Sequence, residues 1–262
     1  MLKKIFKVLL GLVGVVVLLV GALILTLFLT LRANPPDTYF EFAGSPPAAG
    51  APPVMIVGAT RGTGLEVARR LHERGETIVA LVRPTSDRSA LEALDAIFVV
   101  GDAMNPDELA AAFAAQPVRA VVSTIGCLSC DPPPDFLGNR NITDAAKAAG
   151  VNRMILISSI GVGDSADAAP FMSKLFLSKI LPLKDQAEEY LRNSGLDYTI
   201  IRPGGLPENA PLTGNGAASE DPMAFGFISR PDLGVVIVST LDDPRTINKT
   251  LAAMDPGVES PF

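Results

Sequence analysis

Beyond residue 53 the chain falls into short apolar runs set apart by amphipathic stretches. Residues 54–57, 77–82, 96–100, 118–124 and 153–161 are nearly continuous apolar segments. They have the length and the unbroken hydrophobicity of strands buried on both faces. Between them the apolar positions return with helical period. Leu65, Val67, Ala68 and Leu71 share one side of a helix, and Ile142, Ala145, Ala146 and Ala149 share one face of another over residues 135–149. Asn105 followed by Pro106 marks a further helix start, a cap residue and then proline at the first position. Strands alternating with helices at this spacing predict an α/β fold built on a doubly wound parallel sheet.

The first 53 residues follow a different pattern. Residues 8–31 are 24 positions without a charge, about 36 Å as a helix, enough to cross a hydrocarbon core of about 30 Å. The run is too long for the apolar part of a cleavable signal and no A-x-A-like site follows it, so a retained transmembrane helix over residues 1–32 is predicted. It has no G-x-x-x-G, the pattern of a dimerising helix. Lys3, Lys4 and Lys7 against Arg32 argue that the N-terminus stays cytoplasmic and the rest is translocated. Residues 33–53 hold three Pro-Pro pairs and predict a semi-rigid linker of up to about 60 Å. Residues 54–262 are then the globular part, with a small C-terminal substrate region.

The first apolar run ends in Gly58-Ala-Thr-Arg-Gly-Thr-Gly64. Glycines let backbone N–H groups approach a phosphate, and the helix behind them presents partial positive charge. That makes residues 54–71 a Rossmann-type pyrophosphate turn, with Gly58, Thr60, Arg61, Gly62, Thr63 and Gly64 as its cofactor-binding residues. A carboxylate after the second strand would favour NAD; this chain has Arg83 there, and Arg61 lies inside the turn. Two guanidinium forks suit the 2′-phosphate of NADP(H). Asp102 follows the third strand, where an adenine amino group is met. Thr124 and Gly126 close the fourth beside the nicotinamide ribose. Since this nucleotide is made inside the cell, the soluble part is expected to face the cytoplasm, against the charge rule just given.

Charge and inventory narrow the chemistry. All 28 acidic residues lie beyond residue 32, with 18 of the 22 basic ones. So acidic a body argues against nucleic acid, whose binding rests on lysines and arginines at phosphates. A single histidine, His72, in a polar helix end excludes a Ser-His-Asp triad and a histidine-rich metal site. Cys127-Leu-Ser-Cys130 lies in a loop running into Asp131-Pro-Pro-Pro, away from a helix start that would stabilise a thiolate. Two loop cysteines without a redox role are expected there rather than a redox dithiol.

The motifs G-A-T-R-G-T-G, A-L-V-R-P, L-G-N-R-N-I-T-D-A-A-K-A-A-G-V, I-S-S-I-G and L-D-Y-T-I-I-R-P-G-G-L, in this order, resemble the atypical short-chain dehydrogenase/reductase family. The branch they resemble is the NAD(P)H-binding, NmrA-like one that includes biliverdin and flavin reductases. The resemblance implies Ser159 as the substrate-steadying serine, Lys184 as the ribose-holding lysine and Arg202-Pro-Gly-Gly-Leu206, with Pro203, as the nicotinamide wall. It also implies a proton-donating tyrosine four residues before the lysine. That position is Ile180, and no Y-x-x-x-K occurs anywhere. Two readings follow: a membrane-anchored reductase passing hydride to a flavin- or quinone-like acceptor that needs no tyrosine acid, or an NADP-binding scaffold, assembly factor or redox sensor without turnover.

Overall fold

The computed structural model describes residues 11–22 and 33–258. Residues 11–22 are helical (α1). Among the described residues no helix is long and apolar enough to cross a membrane; the rest of the 8–31 run lies outside them. The described residues 33–258 form one compact unit.

That unit is an eight-stranded sheet in the order β3-β2-β1-β4-β5-β6-β8-β7. The strands are β1 (Val54–Val57), β2 (Ile78–Val82), β3 (Ile97–Val100), β4 (Ala120–Ser123), β5 (Arg153–Ile157), β6 (Asp197–Pro203), β7 (Ala217–Ser219) and β8 (Lys249–Met254). All neighbours run parallel except β7, which lies antiparallel on β8. Helices α2 (Gly62–Glu73) and α8 (Arg230–Leu241) pack on one face. Helices α4 (Pro106–Ala115), α5 (Leu137–Ala148) and α7 (Leu181–Arg192) pack on the other. Two short helices, α3 (Ser89–Glu92) and α6 (Phe171–Phe176), lie in crossovers.

The continuous apolar runs are explained by this layering. In β1, Val54 and Ile56 join the core under α2 and α8, while Met55 and Val57 join the core under α4, α5 and α7. Helix α8, apolar over most of its length, buries eight of its twelve residues. The fifth strand ends at Ile157, four residues before the apolar run does, although Ser158 and Ile160 N–H still donate to Ile201 O (2.8 Å) and Pro203 O (3.1 Å) of β6. At the N-terminal edge Arg74 and Arg119 each bridge Glu76 and Asp242 at 2.5–2.8 Å, tying α2, β4 and α8 together. The order reverses between β1 and β4, opening a crevice at the opposite, C-terminal edge.

The linker expectation is corrected over residues 34–44. Asn34 exchanges backbone hydrogen bonds with Phe225 (2.7 and 2.9 Å), Phe40 N–H donates to Ala218 (2.7 Å), and Phe40 and Phe42 pack on the core. Pro35-Pro36 forbids a helix, yet Phe40-x-Phe42 gives the segment an apolar side to lay down. Asp243 clips its far end, accepting from Ala43 N–H (2.9 Å) and three times from Arg245 (2.6–3.0 Å). The Arg245 hydrogen bonds, above all, hold the Asp243 carboxyl far below the usual carboxylate range. A depressed carboxyl contributes stability above its unfolded value of about 4 and loses it as pH falls toward the folded one. The stability gap between wild type and Asp243→Asn should therefore narrow as pH drops below about 4, read from urea midpoints. Parallel curves would show that the clip is energetically idle.

Candidate functional site

The turn after β1 is built for close backbone approach. Gly58 has φ +93° and Gly62 φ +56°, in the left-handed region. A Cβ on Gly64 would stand 2.2 Å from Gly58 O. The start of α2 is thus pressed against the end of β1, and its first N–H groups face outward. Thr124 donates its hydroxyl to Val57 O (3.1 Å) and Gly58 O (3.2 Å), so it braces the turn from β4. Its side chain is engaged there, below the surface where a ribose was expected.

Arg61 is the cap residue of α2 and exposed; Arg83 follows β2 directly and is exposed. Register pairs Val57 with Leu81, so both arginines rise from the same edge of neighbouring strands. Neither has an ion pair among the described residues. A third guanidinium was not foreseen. Arg230, at the first position of α8, reaches over the turn, with Nε 3.8 Å from where a Gly62 Cβ would be, and donates to Pro207 O (3.3 Å). The helix start Ser229-Arg-Pro-Asp is legible in sequence, but the reach of its arginine to the start of the adjacent α2 is not. Thr60 and Thr63 lie half-buried in the turn. Asp102 is half-buried after β3 and accepts from Met104 N–H (2.8 Å), while its own N–H goes to Glu108 (2.8 Å).

Toward β5 the polar groups gather around a fully buried carboxylate that sequence reasoning missed, Asp135. Lys184 Nζ lies 3.3 Å from its Oδ1, and Cys127 N–H donates to its Oδ2 (3.0 Å). Lys184 also donates to Ile157 O (3.4 Å), the last carbonyl of β5. A Cβ on Gly126 would meet Asp135 at 2.9 Å and Lys184 at 3.4 Å, so only glycine lets the β4 loop lie over the pair. Cys127 and Cys130 are joined as a disulfide, a pairing the sequence reading did not foresee. The loop turns back onto Asp135, bringing the two Cα atoms to 5.4 Å, within bridging range. Ser158 Oγ is buried without a hydrogen-bond partner, and Ser159 donates to Ile160 O (2.9 Å).

No tyrosine stands near. Ile180, one turn before Lys184, is a buried hydrocarbon. Tyr190 donates to Asp144 (2.6 Å) between α5 and α7, and Tyr198 pairs with Met154 near the N-terminal ends of β5 and β6. Tyr39 lies in the segment beyond β7. Pro203 ends β6, its carbonyl accepting from Ile160 N–H (3.1 Å). Beside it Arg202, expected in the cofactor wall, is turned under the sheet. It is 2% exposed and forks onto the fully buried Glu188 at 3.0 and 2.7 Å, with Asp164 as a further acceptor.

A glycine-braced helix start at the reversal of a parallel sheet, flanked by arginines that form no ion pair among the described residues, defines a dinucleotide-binding protein. The residues fit the nucleotide: a Cβ on Gly62 would meet nothing nearer than Arg230 at 3.8 Å, so the turn is open on that side, while Gly64 lets the helix start pack on the end of β1. The chain belongs to the NAD(P)H-binding family, whose pattern matches residues 58–244, on the atypical short-chain dehydrogenase/reductase branch. It is 30% identical over 203 residues to the uncharacterized sugar epimerase YhfK of Bacillus subtilis, covering 75% of this chain and 91% of that one. It is 28% identical over 239 residues to sanguinarine reductase of Eschscholzia californica, covering 75% and 86%. Among solved structures it is similar to ChuY, an anaerobillin reductase of Escherichia coli O157:H7, with TM-score 0.71, 29% identity and coverage of 79% and 98%.

Proposed function

We propose that this chain is a membrane-anchored, NADP(H)-dependent reductase that passes hydride to a small conjugated acceptor, flavin- or quinone-like, without a tyrosine acid. The observation that carries it is the pairing of an intact nucleotide cradle with Ile180 where the proton donor would be. Kinship with two proteins named as reductases supports turnover. When bound, the reduced nicotinamide supplies the hydride. The N–H groups of residues 62–64 hold the pyrophosphate, Arg230 flanks it, and Arg61 and Arg83 take the 2′-phosphate. Lys184, held by Asp135, offers its remaining N–H groups to the ribose hydroxyls. The proton that completes the reduction comes from water, which suits an acceptor whose conjugation spreads the incoming charge.

Residues 8–31 anchor the chain in this reading, and the body faces the side where the nucleotide is made. The Cys127–Cys130 disulfide weighs toward an oxidising compartment; a topology reporter at the C-terminus decides between them. The second reading, an NADP-binding scaffold or sensor, is favoured by the Ser159 hydroxyl, which is turned onto the Ile160 carbonyl. Following NADPH absorbance with purified full-length protein and a panel of flavins and quinones separates the two. Consumption establishes the reductase, and tight binding without consumption establishes the scaffold.

Arg83→Asp should weaken NADPH binding about ten- to a hundredfold, since hydrogen bonds to charged groups contribute about 1.5–3 kcal/mol, and should leave NADH binding unchanged or improved. Arg230→Ala should weaken both nucleotides alike, because they share the pyrophosphate. If Arg83→Asp leaves the preference between them unchanged, the 2′-phosphate assignment fails.

A further inference from the structure

The crossover between β5 and α7 carries an apolar surface that the nucleotide site does not use. Phe171 is 68% exposed, Leu175 57% and Phe176 75%, and no residue of α6 is buried. Large apolar side chains gathered this closely on one short element mark a surface that meets something apolar. Leu128, 67% exposed, crowns the neighbouring loop after β4.

The charges around this surface say what that something is. Residues 168–184 contain Lys174, Lys179 and Lys184 and no Asp or Glu, with Asp164 and Asp167 before them and Asp185 after, in a chain where acidic residues outnumber basic ones. Lys184 is engaged by Asp135, whereas Lys179 is exposed and Lys174 makes only an exposed bond to Ala166 O (3.2 Å). Exposed phenylalanines and leucine flanked by lysines fit the boundary between lipid headgroups and acyl chains, with the ammonium groups among anionic phosphates.

A second observation points the same way. The body of the protein begins at this edge. Asn34 hangs on Phe225, and Phe225 packs in a small cluster with Ile160 and Ala169, the latter two residues before Phe171. In sequence, the uncharged run of residues 8–31 ends just before Asn34. We propose that α6 and the turn after it are a docking surface for an anionic lipid bilayer. Phe171, Leu175 and Phe176 enter the interface, and Lys174 and Lys179 rest on its phosphates. This stands whether or not the protein turns over its nucleotide. Where it does turn over, an acceptor dissolved in the bilayer would reach the strands' C-terminal edge without crossing water.

Labelling Leu175→Cys with an environment-sensitive fluorophore tests the proposal. The full-length protein is reconstituted without thiol reductant in vesicles of phosphatidylcholine, with or without phosphatidylserine. Asn152→Cys, exposed at the opposite edge just before β5, is the control. Lipid-borne nitroxide should quench the label at 175 several-fold more than the label at 152. The difference should grow with phosphatidylserine and shrink when Lys174 and Lys179 are both changed to Glu or salt is raised. Equal quenching at the two positions overturns the proposal. So does a signal at 175 that follows protein density rather than lipid charge, which would assign the surface to a second copy of the chain.

Discussion

Gly64→Ala is expected to abolish useful NADPH binding, with affinity falling by about a hundredfold or more, while the sheet stays assembled. The added methyl would stand 2.2 Å from Gly58 O, 2.7 Å from Thr124 Oγ1 and 2.8 Å from Gly58 C. Two of those atoms are backbone, so relief requires the start of α2 to back away from β1. The N–H groups that meet the pyrophosphate then move with it. Overpacking of this kind costs about 1–3 kcal/mol, within reach of a stable domain, so the variant should fold and fail to bind. Gly75→Ala separates the two effects. Gly75 has φ +73° and open space around it, so alanine there costs roughly 1–2 kcal/mol of strain and leaves the nucleotide turn untouched. Titration calorimetry on both variants reads the outcome. Binding by Gly64→Ala within about threefold of wild type would remove the pyrophosphate from this turn.

The second large effect is on stability. Glu188→Ala should lower it by about 3 kcal/mol or more, because removing one partner of a buried ion pair strands the other. Burial alone would draw the Arg202 guanidinium down, but the Glu188 and Asp164 carboxylates hold it above its ordinary value, so it remains a cation. Asp164, with its side chain 69% exposed, is too solvated to replace a partner that is fully buried. Arg192, which donates to the same Glu188 oxygen at 2.6 Å, loses its charged acceptor as well and keeps only the longer bond to Thr250 Oγ1 (3.3 Å). The melting temperature should fall by roughly 10 °C for a body of this size. Glu188→Gln, which keeps most acceptor geometry, should fall by less. A drop in Glu188→Ala under about 2 °C would mean that Arg202 is supported from elsewhere.

The sheet and the nucleotide turn were readable because both are local. A strand buried on two faces must be apolar throughout, and a turn pressed on a strand must be glycine. Runs 54–57 and 77–82 therefore map onto β1 and β2 within a residue; run 96–100 maps as closely onto β3, an edge strand whose Ile97 and Val100 are exposed. What escaped was set by distant contacts. Phe40 and Phe42 were hidden by the prolines around them, though their alternation signals an edge segment. Asp135 follows three prolines and looks like a loop acid until Lys184 and the Cys127 amide converge on it. Arg202 looked like a site residue because it leads into Pro-Gly-Gly. Strand alternation, once the register of β6 is known, sends it to the α7 face instead. The cysteines were judged by their distance from a helix start, and the fold decided them by loop curvature.

The ring closed by Cys127 and Cys130 has a practical bearing on how the molecule is handled. Protein stored in dithiothreitol and protein stored without it are two different species at the end of β4, one with a pinned loop above Lys184 and one with a free loop. Titrations pooled across the two preparations would average unlike sites, so each stock needs its thiol content counted before its affinity is compared with any other.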